Sequence, residues 1–525
     1  MSERSRSGSM LLEVCAAALS LALLATACTT SRNTSAGGSS GSGESSASMT
    51  PHSVRNLKLA WTASIGGVPS HTSVPGVSSR GPSAPFAPTV ADGIVYVGTM
   101  SGKLVVFSAS CGSGGNGCEP LWVGDTRSAI RSPATVADGI VYVGTKSGKL
   151  FAFSASCGSG GASCKPQWVA EIGGVGEIGG TAGSPVVAAG IVYAVDGEAG
   201  TLYAFAANCG TGNQTCEPLW TARMPGEISG PAVADGVVYA AGGFPKQGAG
   251  LYAFDAQTGR RLWVGAVPNA GIYGSTGPVV QGGRVFMTFG SNTLYTFPAS
   301  CGTAGGATCS PQWTGSVPSG AGVGGEPTVG GAYGVSLPIV SGDLVYVESW
   351  DLSSGTLQAF GVDCGTGGVE CQPRWTAYLT ECCADAAADA GSVYLSSYRG
   401  GIVEAYPTAC DTVCSPLWRF VGADGPKQQL NDAYHPWLRT QPIAVDGVVF
   451  GAKHFEGLRG DELYALPASC GTDTAYCTPV WTWTGPPGTA GVSSGDLSSP
   501  VVVDGLLFTA SSNGQLYAFA LADVT

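Results

Sequence analysis

Charge is scarce in this 525-residue chain. Only 11% of its residues are charged, and 24 Lys and Arg against 36 Asp and Glu leave a net −12. An average globular protein carries roughly 25% charged residues. A chain so poor in cations lacks the basic surface that phosphate backbones require, which excludes nucleic acid as a partner. Histidine is scarcer still: His52, His71, His435 and His454 are the whole set, which excludes a multi-histidine metal site. After the first thirty residues no apolar run approaches the ~20 residues that a membrane-spanning helix needs. No Ser-His-Asp motif, phosphate-cradling loop or Cys-x-x-Cys-His haem attachment is present. What abounds is glycine, with 82 residues, beside a 44% hydrophobic fraction that is ample for a core. That mixture reads as many short strands joined by glycine-rich turns.

The N-terminus has the pattern of an export signal. Arg4 and Arg6 precede an apolar run from Leu11 to Ala27, broken only by Glu13. The run ends in Ala25-Thr26-Ala27-Cys28, which resembles the bacterial lipoprotein signal, with Ala25 where leucine is usual. The resemblance implies a signal peptide over 1–27, lipidation at Cys28 and an extracytoplasmic body anchored to the cell membrane by lipid alone. Residues 28–56 are mostly Ser, Thr, Gly and Ala and are expected to form a disordered tether.

The rest is a repeat. Pro88-Thr-Val-Ala-Asp-Gly-Ile-Val-Tyr-Val-Gly-Thr99 returns almost unchanged from Ala134 to Thr145. Looser copies start at Pro185, Pro231, Pro278, Pro338, Asp385, Pro442 and Pro500. Each is followed by a second strand pattern such as Thr201-Leu-Tyr-Ala-Phe205, and then, in eight units, by a tryptophan. Asp-Gly pairs such as Asp92-Gly93 suit the positive φ angles of two-residue hairpin turns. A period of 46–60 residues with four strands predicts an all-β fold, a single β-propeller of four-stranded blades. Nine units are counted, or eight if the weakly patterned seventh is irregular. The last unit stops one strand short, while Leu57-Lys-Leu-Ala-Trp61 is an orphan strand at the start. The N-terminal strand is therefore expected to complete the final blade and close the ring over 57–525, removing exposed sheet edges.

Ala253-Phe-Asp255-Ala-Gln-Thr258-Gly259-Arg-Arg-Leu-Trp263 resembles the blade ending of the pyrroloquinoline-quinone-like propeller repeat, and Asn56 to Trp61 resembles that superfamily's opening strand. The resemblance implies the fold. For activity it implies two classes: propellers that bind or scaffold, and quinoprotein dehydrogenases that use the quinone with calcium to oxidise alcohols or sugars.

Fourteen cysteines fall at one place in seven units, between the second strand pattern and the tryptophan. They are Cys111/Cys118, Cys157/Cys164, Cys209/Cys216, Cys301/Cys309, Cys364/Cys371, Cys410/Cys414 and Cys470/Cys477. The fourth unit has the Asp255…Thr258-Gly259 turn there instead, so a disulfide is expected to replace a hydrogen-bonded turn in each of the seven, as a local staple of its own loop. The spacing is not that of zinc sites, and no histidine accompanies it. Disulfides place the chain in an oxidising compartment.

Cys382-Cys383 stand apart, in a connection expected to reach the channel mouth. Quinoprotein alcohol dehydrogenases of the superfamily carry an adjacent pair stacked on the quinone, followed by Asn-Arg-Gly. Here Ala384-Asp385-Ala-Ala-Ala-Asp389 follows instead, and the pair sits in the seventh unit rather than early. The longest polar connection, Arg419 to Gln441, holds Lys427, Asn431, Asp432, Tyr434, His435, Trp437 and Arg439. That mix suits a small polar ligand or a protein partner. Glu171, Glu177, Glu227, Glu326 and Glu381 occupy related connections and are expected to favour cations at the mouth. A calcium-assisted dehydrogenase would draw ligands and a base from groups such as Glu381, Asn431 and Asp432. The expectation is a binding or scaffolding module with no cofactor and no metal, with Glu381, Cys382, Cys383, Asn431, Asp432, His435, Trp437 and Arg439 as ligand- or partner-binding candidates. The alternatives are a purely structural Cys382-Cys383 pair and a plain solvent-facing loop.

Overall fold

A computed structural model describes residues 48–66, 86–112, 117–173, 184–210, 212, 214–243, 249–267, 276–289, 293–301, 307–317, 334–350, 355–379, 384–389, 391–397, 402–421, 441–453, 460–470, 476–487 and 497–521. Nine antiparallel sheets succeed one another along the chain, each built on four strands that we label A to D in blade order. In blade 1 these are Thr89–Ala91, Ile94–Gly98, Lys103–Ser108 and Trp122–Asp125. The A strands touch one another in sequence, and that of blade 1 also touches Val501–Val503 of blade 9, so the innermost ring is closed. The seventh unit is regular, with Ala384–Ala388, Ser392–Ser397, Ile402–Pro407 and Trp418–Val421 in order.

Closure follows the expectation from the orphan strand. Leu57–Ser64 pairs antiparallel with Gln515–Leu521 and is the outermost strand of blade 9. The molecule's two ends thus share one sheet, and no blade is left with three strands. Residues 48–56, assigned to the tether by composition, pack on the body. Ser53–Asn56 form one 3-10 turn, and Met49 and Val54 are buried with Val448, Phe450 and Leu463 of blade 8. Two apolar side chains in an otherwise small, polar stretch explain the difference.

The A–B hairpins turn on Asp-Gly, and Asp92 and Gly93 adopt φ of 50° and 70°. Both values lie in the left-handed region that this two-residue turn requires. Between blades the core is made of B, C and D side chains. Each D-strand tryptophan is wedged against the C strand of the next blade. The Trp122 indole N–H donates to the carbonyl of Ala155 (3.0 Å), Trp168 to Ala207 (3.0 Å) and Trp418 to Ala468 (2.9 Å). Trp61 makes the same bond to Ala109 (3.1 Å) and carries the pattern across the closure. One indole per blade therefore fixes the rotation of the next. Close approach also limits side-chain size here. A Cβ on Gly265 would stand 2.6 Å from the Phe297 ring of the following blade.

Candidate functional site: the blade 6–7 interface and the outer edges

All seven expected disulfides are present, with Cα–Cα distances of 5.5–6.1 Å. Such distances suit unstrained bridging. Each bridge closes its own loop as expected, and their surroundings add a second contact. The second cysteine of every pair (Cys118, Cys164, Cys216, Cys309, Cys371, Cys414 and Cys477) is buried, whereas the first is half-buried or exposed. The buried sulfurs pack in the core between blades. Cys118 shares a cluster with Trp61, Cys309 with Trp263, Cys371 with Trp313 and Cys414 with Trp375, in each case the tryptophan of the preceding blade. The reason is that a disulfide sulfur is apolar and small enough to sit against the indole, so the bridge pins its loop onto the neighbouring blade as well as closing it.

Each bridged C–D loop also reaches the outer strand of the preceding blade and pairs with it in parallel. Ala162–Cys164 of blade 2 lies along Trp122–Asp125, and Gln214–Thr215 of blade 3 lies along Trp168–Glu171. The blade 5 and 6 loops cover blades 4 and 5 in the same way, with Cys309 opposite Gly265 and Cys371 opposite Gly315. Single bridges from Gly117, Val413 and Tyr476 cover blades 9, 6 and 7. The second cysteine supplies a bond of its own: its N–H donates to the carbonyl one residue after the tryptophan. Examples are Cys118 to Thr62 (2.7 Å), Cys216 to Val169 (2.8 Å), Cys414 to Thr376 (2.9 Å) and Cys477 to Arg419 (2.7 Å).

Blade 4 lacks the bridge and builds the turn expected from Asp255-Thr258-Gly259. The Asp255 Oδ1 accepts the Thr258 N–H (2.9 Å) and hydroxyl (2.7 Å). These bonds, the hydroxyl's first, hold the Asp255 carboxyl below its usual range. The turn is compact because Gly259 lies flat on Trp220 of blade 3, where a Cβ would meet the indole at 2.5 Å.

Glu381, Cys382, Cys383, Asn431, Asp432, His435, Trp437 and Arg439, the ligand-binding candidates, lie outside the described residues, as do Cys28, Glu177 and Glu326. In sequence Glu381 to Cys383 fall between strand D of blade 6 and strand A of blade 7, and 422–440 between blades 7 and 8. Glu171 ends the outer strand of blade 2 and pairs with Lys149 at 2.7 Å, which places it on the blade's flank.

On blades 6 and 7 the structure brings together residues that the sequence reading passed over. Glu348, on strand B of blade 6, and Glu404, on strand C of blade 7, are fully or almost fully buried at 0% and 5% exposure. The Glu404 carboxylate accepts the Tyr406 hydroxyl (2.8 Å) and the Arg419 Nε–H (2.7 Å), and the pair with Arg419 is charge-assisted. Burial, then the Glu404 charge, pushes the Tyr406 hydroxyl far up, and Glu348 adds to the effect. Tyr406 is therefore a fixed donor across the physiological range. A signal was available in the repeat. Glu404 stands where other units carry tyrosine, as in Tyr203 and Tyr252, and Glu348 where blade 1 has Gly98.

Chemically this is a buried carboxylate held by a guanidinium and a phenol, a rigid polar group across strands C and D of blade 7. Among the described residues no group of three or more His, Cys, Asp or Glu is arranged to hold a metal ion.

Fold and repeat together define a β-propeller of pyrroloquinoline-quinone-like blades. The family model described as outer membrane protein assembly factor BamB matches residues 87–213 and 165–403, more than half of the chain, and the protein belongs to that family. Among solved structures, BamB from Moraxella catarrhalis is 13% identical with a TM-score of 0.47, covering 89% of this chain and 99% of its own. A quinohemoprotein alcohol dehydrogenase from Comamonas testosteroni is 15% identical with a TM-score of 0.47, covering 90% of this chain and 78% of its own. A europium-containing methanol dehydrogenase is 13% identical with a TM-score of 0.50, covering 90% and 95%. At these identities the likeness is one of fold. No curated protein matches the chain.

Proposed function

We propose that the protein is a lipid-anchored, extracytoplasmic propeller that binds or scaffolds a protein partner. The observation that carries this reading is membership of a family described by outer membrane protein assembly. Seven disulfides support an oxidising compartment, and Cys28 after an apolar run supports the lipid. Residues 29–47 then serve as the tether between membrane and body. Partner contact is assigned to the connections that hold Glu381 to Cys383 and Asn431 to Arg439, and the Glu404–Arg419 pair stiffens blade 7, which those connections flank in sequence.

The test has two arms. Metabolic labelling with an alkyne fatty acid should mark the wild type and not Cys28→Ala, which should be shed from the membrane. In-cell cross-linking from Trp437 and Arg439 should then capture one reproducible partner. An unlabelled wild type removes the anchor, and cross-links to no protein remove the scaffold. For the quinone-dependent dehydrogenase, purified protein incubated with the quinone and calcium should show stoichiometric binding and donor-dependent dye reduction. The scaffold reading expects neither.

A further inference from the structure

The outer rim holds an irregularity that the scaffold reading does not use. Eight of the nine outer strands have something beside them. Seven are paired with the bridged loop of the following blade. Blade 8, whose successor has no C–D loop, has the 3-10 turn Ser53–Asn56 against Trp481–Thr484. Blade 3 alone has no strand or helix along Trp220–Arg223 among the described residues, because the blade 4 turn is too short to reach past Trp220.

The bare strand is ready to pair. Met224 N–H donates inward to Gly200, so inward and outward backbone groups alternate from there. The N–H and C=O of Thr221 and the N–H of Arg223 accordingly point away from the sheet. The Thr221 carbonyl occupies the place where Val169 accepts from Cys216 one blade earlier. Leu219 at the head of the strand is 55% exposed, Trp220 is half-buried, and Thr221 and Arg223 are exposed. Proteins normally blunt such edges by covering them, and this one covers the other eight.

We infer that the outer strand of blade 3 docks an extended segment of a partner protein as an added parallel strand, with a carboxylate set opposite Arg223. The inference deepens the scaffold reading and rests on it. Other edges of the same molecule show what the occupant looks like: four carry a short parallel strand and three a single parallel bridge. The second cysteine, in third place, donates to the carbonyl after the tryptophan as Cys216 does to Val169. The covered edges do not themselves set the charge at the fourth position. One step beyond Gly124 and Cys164 in blade 1 stand Asp125, already paired with Lys103, and Lys165, while the same step in blade 2 sets Glu171 against Glu217. In blade 3 the same step brings Arg223, which makes no ion pair among the described residues, so the matching residue is Asp or Glu. Main-chain bonds supply the grip, and Leu219 with the half-buried Trp220 supplies an apolar footing.

The chain provides its own probes. A synthetic disulfide-closed peptide copying 209–218 carries Glu217 at the fourth position, and one copying 157–166 carries Lys165. Each would bear a photoreactive group in place of its second residue, and labelling of the full-length protein would be mapped by mass spectrometry. Saturable labelling confined to 219–223 is expected, about threefold stronger for the Glu peptide, as suits an exposed ion pair. Thr221→Pro removes an outward N–H at an edge, where proline is tolerated, and should abolish labelling while the fold stays intact by circular dichroism. Should that variant misfold, Arg223→Glu decides, since it must reverse the preference towards the Lys peptide. No saturable labelling of 219–223 at millimolar peptide overturns the inference, and so does labelling indifferent to both substitutions. Loss of lipid and partner with blade 3 labelling retained would instead overturn the scaffold reading alone.

Discussion

Blades 2 and 3 present nearly the same outer strand to two different surroundings. Trp168–Glu171 is covered by the Cys209–Cys216 loop, whereas among the described residues Trp220–Arg223 meets the Asp255 turn and no added strand. Both tryptophans make the same indole bond, to Ala207 and Ala256, each at 3.0 Å. The indole bond between blades therefore forms without the bridged loop. The disulfide loop does a separate job, which is to satisfy the outward backbone of its neighbour. The Asp255 turn keeps the indole bond that a bridged loop keeps, but leaves an edge open.

The harshest way to break this comparison is to strip an outer strand altogether. Deleting Leu57 to Trp61 removes the D strand of blade 9 and the Trp61 bond to Ala109. Size-exclusion chromatography should show soluble aggregates in place of monomer, through the exposed Gln515–Leu521 edge. A monomer as stable as wild type would refute the closure argument.

Alkali should strike covered and bare edges alike, because both rest on a buried tyrosine. Tyr142 donates to Ala207 (3.3 Å) and Tyr193 to Ala256 (3.0 Å). Burial pushes Tyr193, and likewise Tyr96, Tyr239 and Tyr346, up from 10.0 to about 12. The folded state then holds protons that the unfolded chain releases, so stability is full below pH 10 and falls between pH 10 and about 12. Denaturant midpoints across that window should drop with pH while phenolate absorbance lags behind that of free tyrosine.

Uncovering blade 2 separates the loop from the tryptophan. Cys209→Ala with Cys216→Ala should cost about 2–3 kcal/mol on the chain-entropy account of a short bridged loop. Amide exchange at residue 216 should quicken, since its N–H no longer has a fixed bond to Val169, while the Trp168 indole stays protected. Equal exposure of both would show that the two contacts are one.

The smallest effect belongs to the bare edge's own turn. Asp255→Ala loses the Thr258 hydrogen bonds of an exposed loop, about 0.5–1 kcal/mol. The Asp255 carboxyl is held low in the folded state, so its contribution exists above the unfolded value of 3.8 and is lost as pH falls through the lower folded one. Wild type and variant should converge in acid.

The chain's own pattern determined the architecture. Asp92-Gly93 and its copies demand hairpins whatever surrounds them, and a period of four apolar strands with one tryptophan has few ways to bury itself. The orphan Leu57-to-Trp61 strand announced closure because one unit was visibly short. The disulfide pairs were legible from their place in the repeat, with blade 4 as the exception that explained the rest. The buried Glu404–Tyr406–Arg419 group was written in the repeat too, as a carboxylate at a tyrosine position. Its meaning still depended on Arg419 lying across the sheet, fifteen residues away in sequence. What only the tertiary structure decided is who covers whom. Parallel pairing between a loop and the preceding blade leaves no periodic mark, since its register is set by the wedge angle between two sheets and by loop length. That is why Cys118, Cys216, Cys309, Cys371 and Cys414 read as halves of local staples in the sequence. In the folded ring each lies buried against the tryptophan of another blade and lines up with that blade's outer strand.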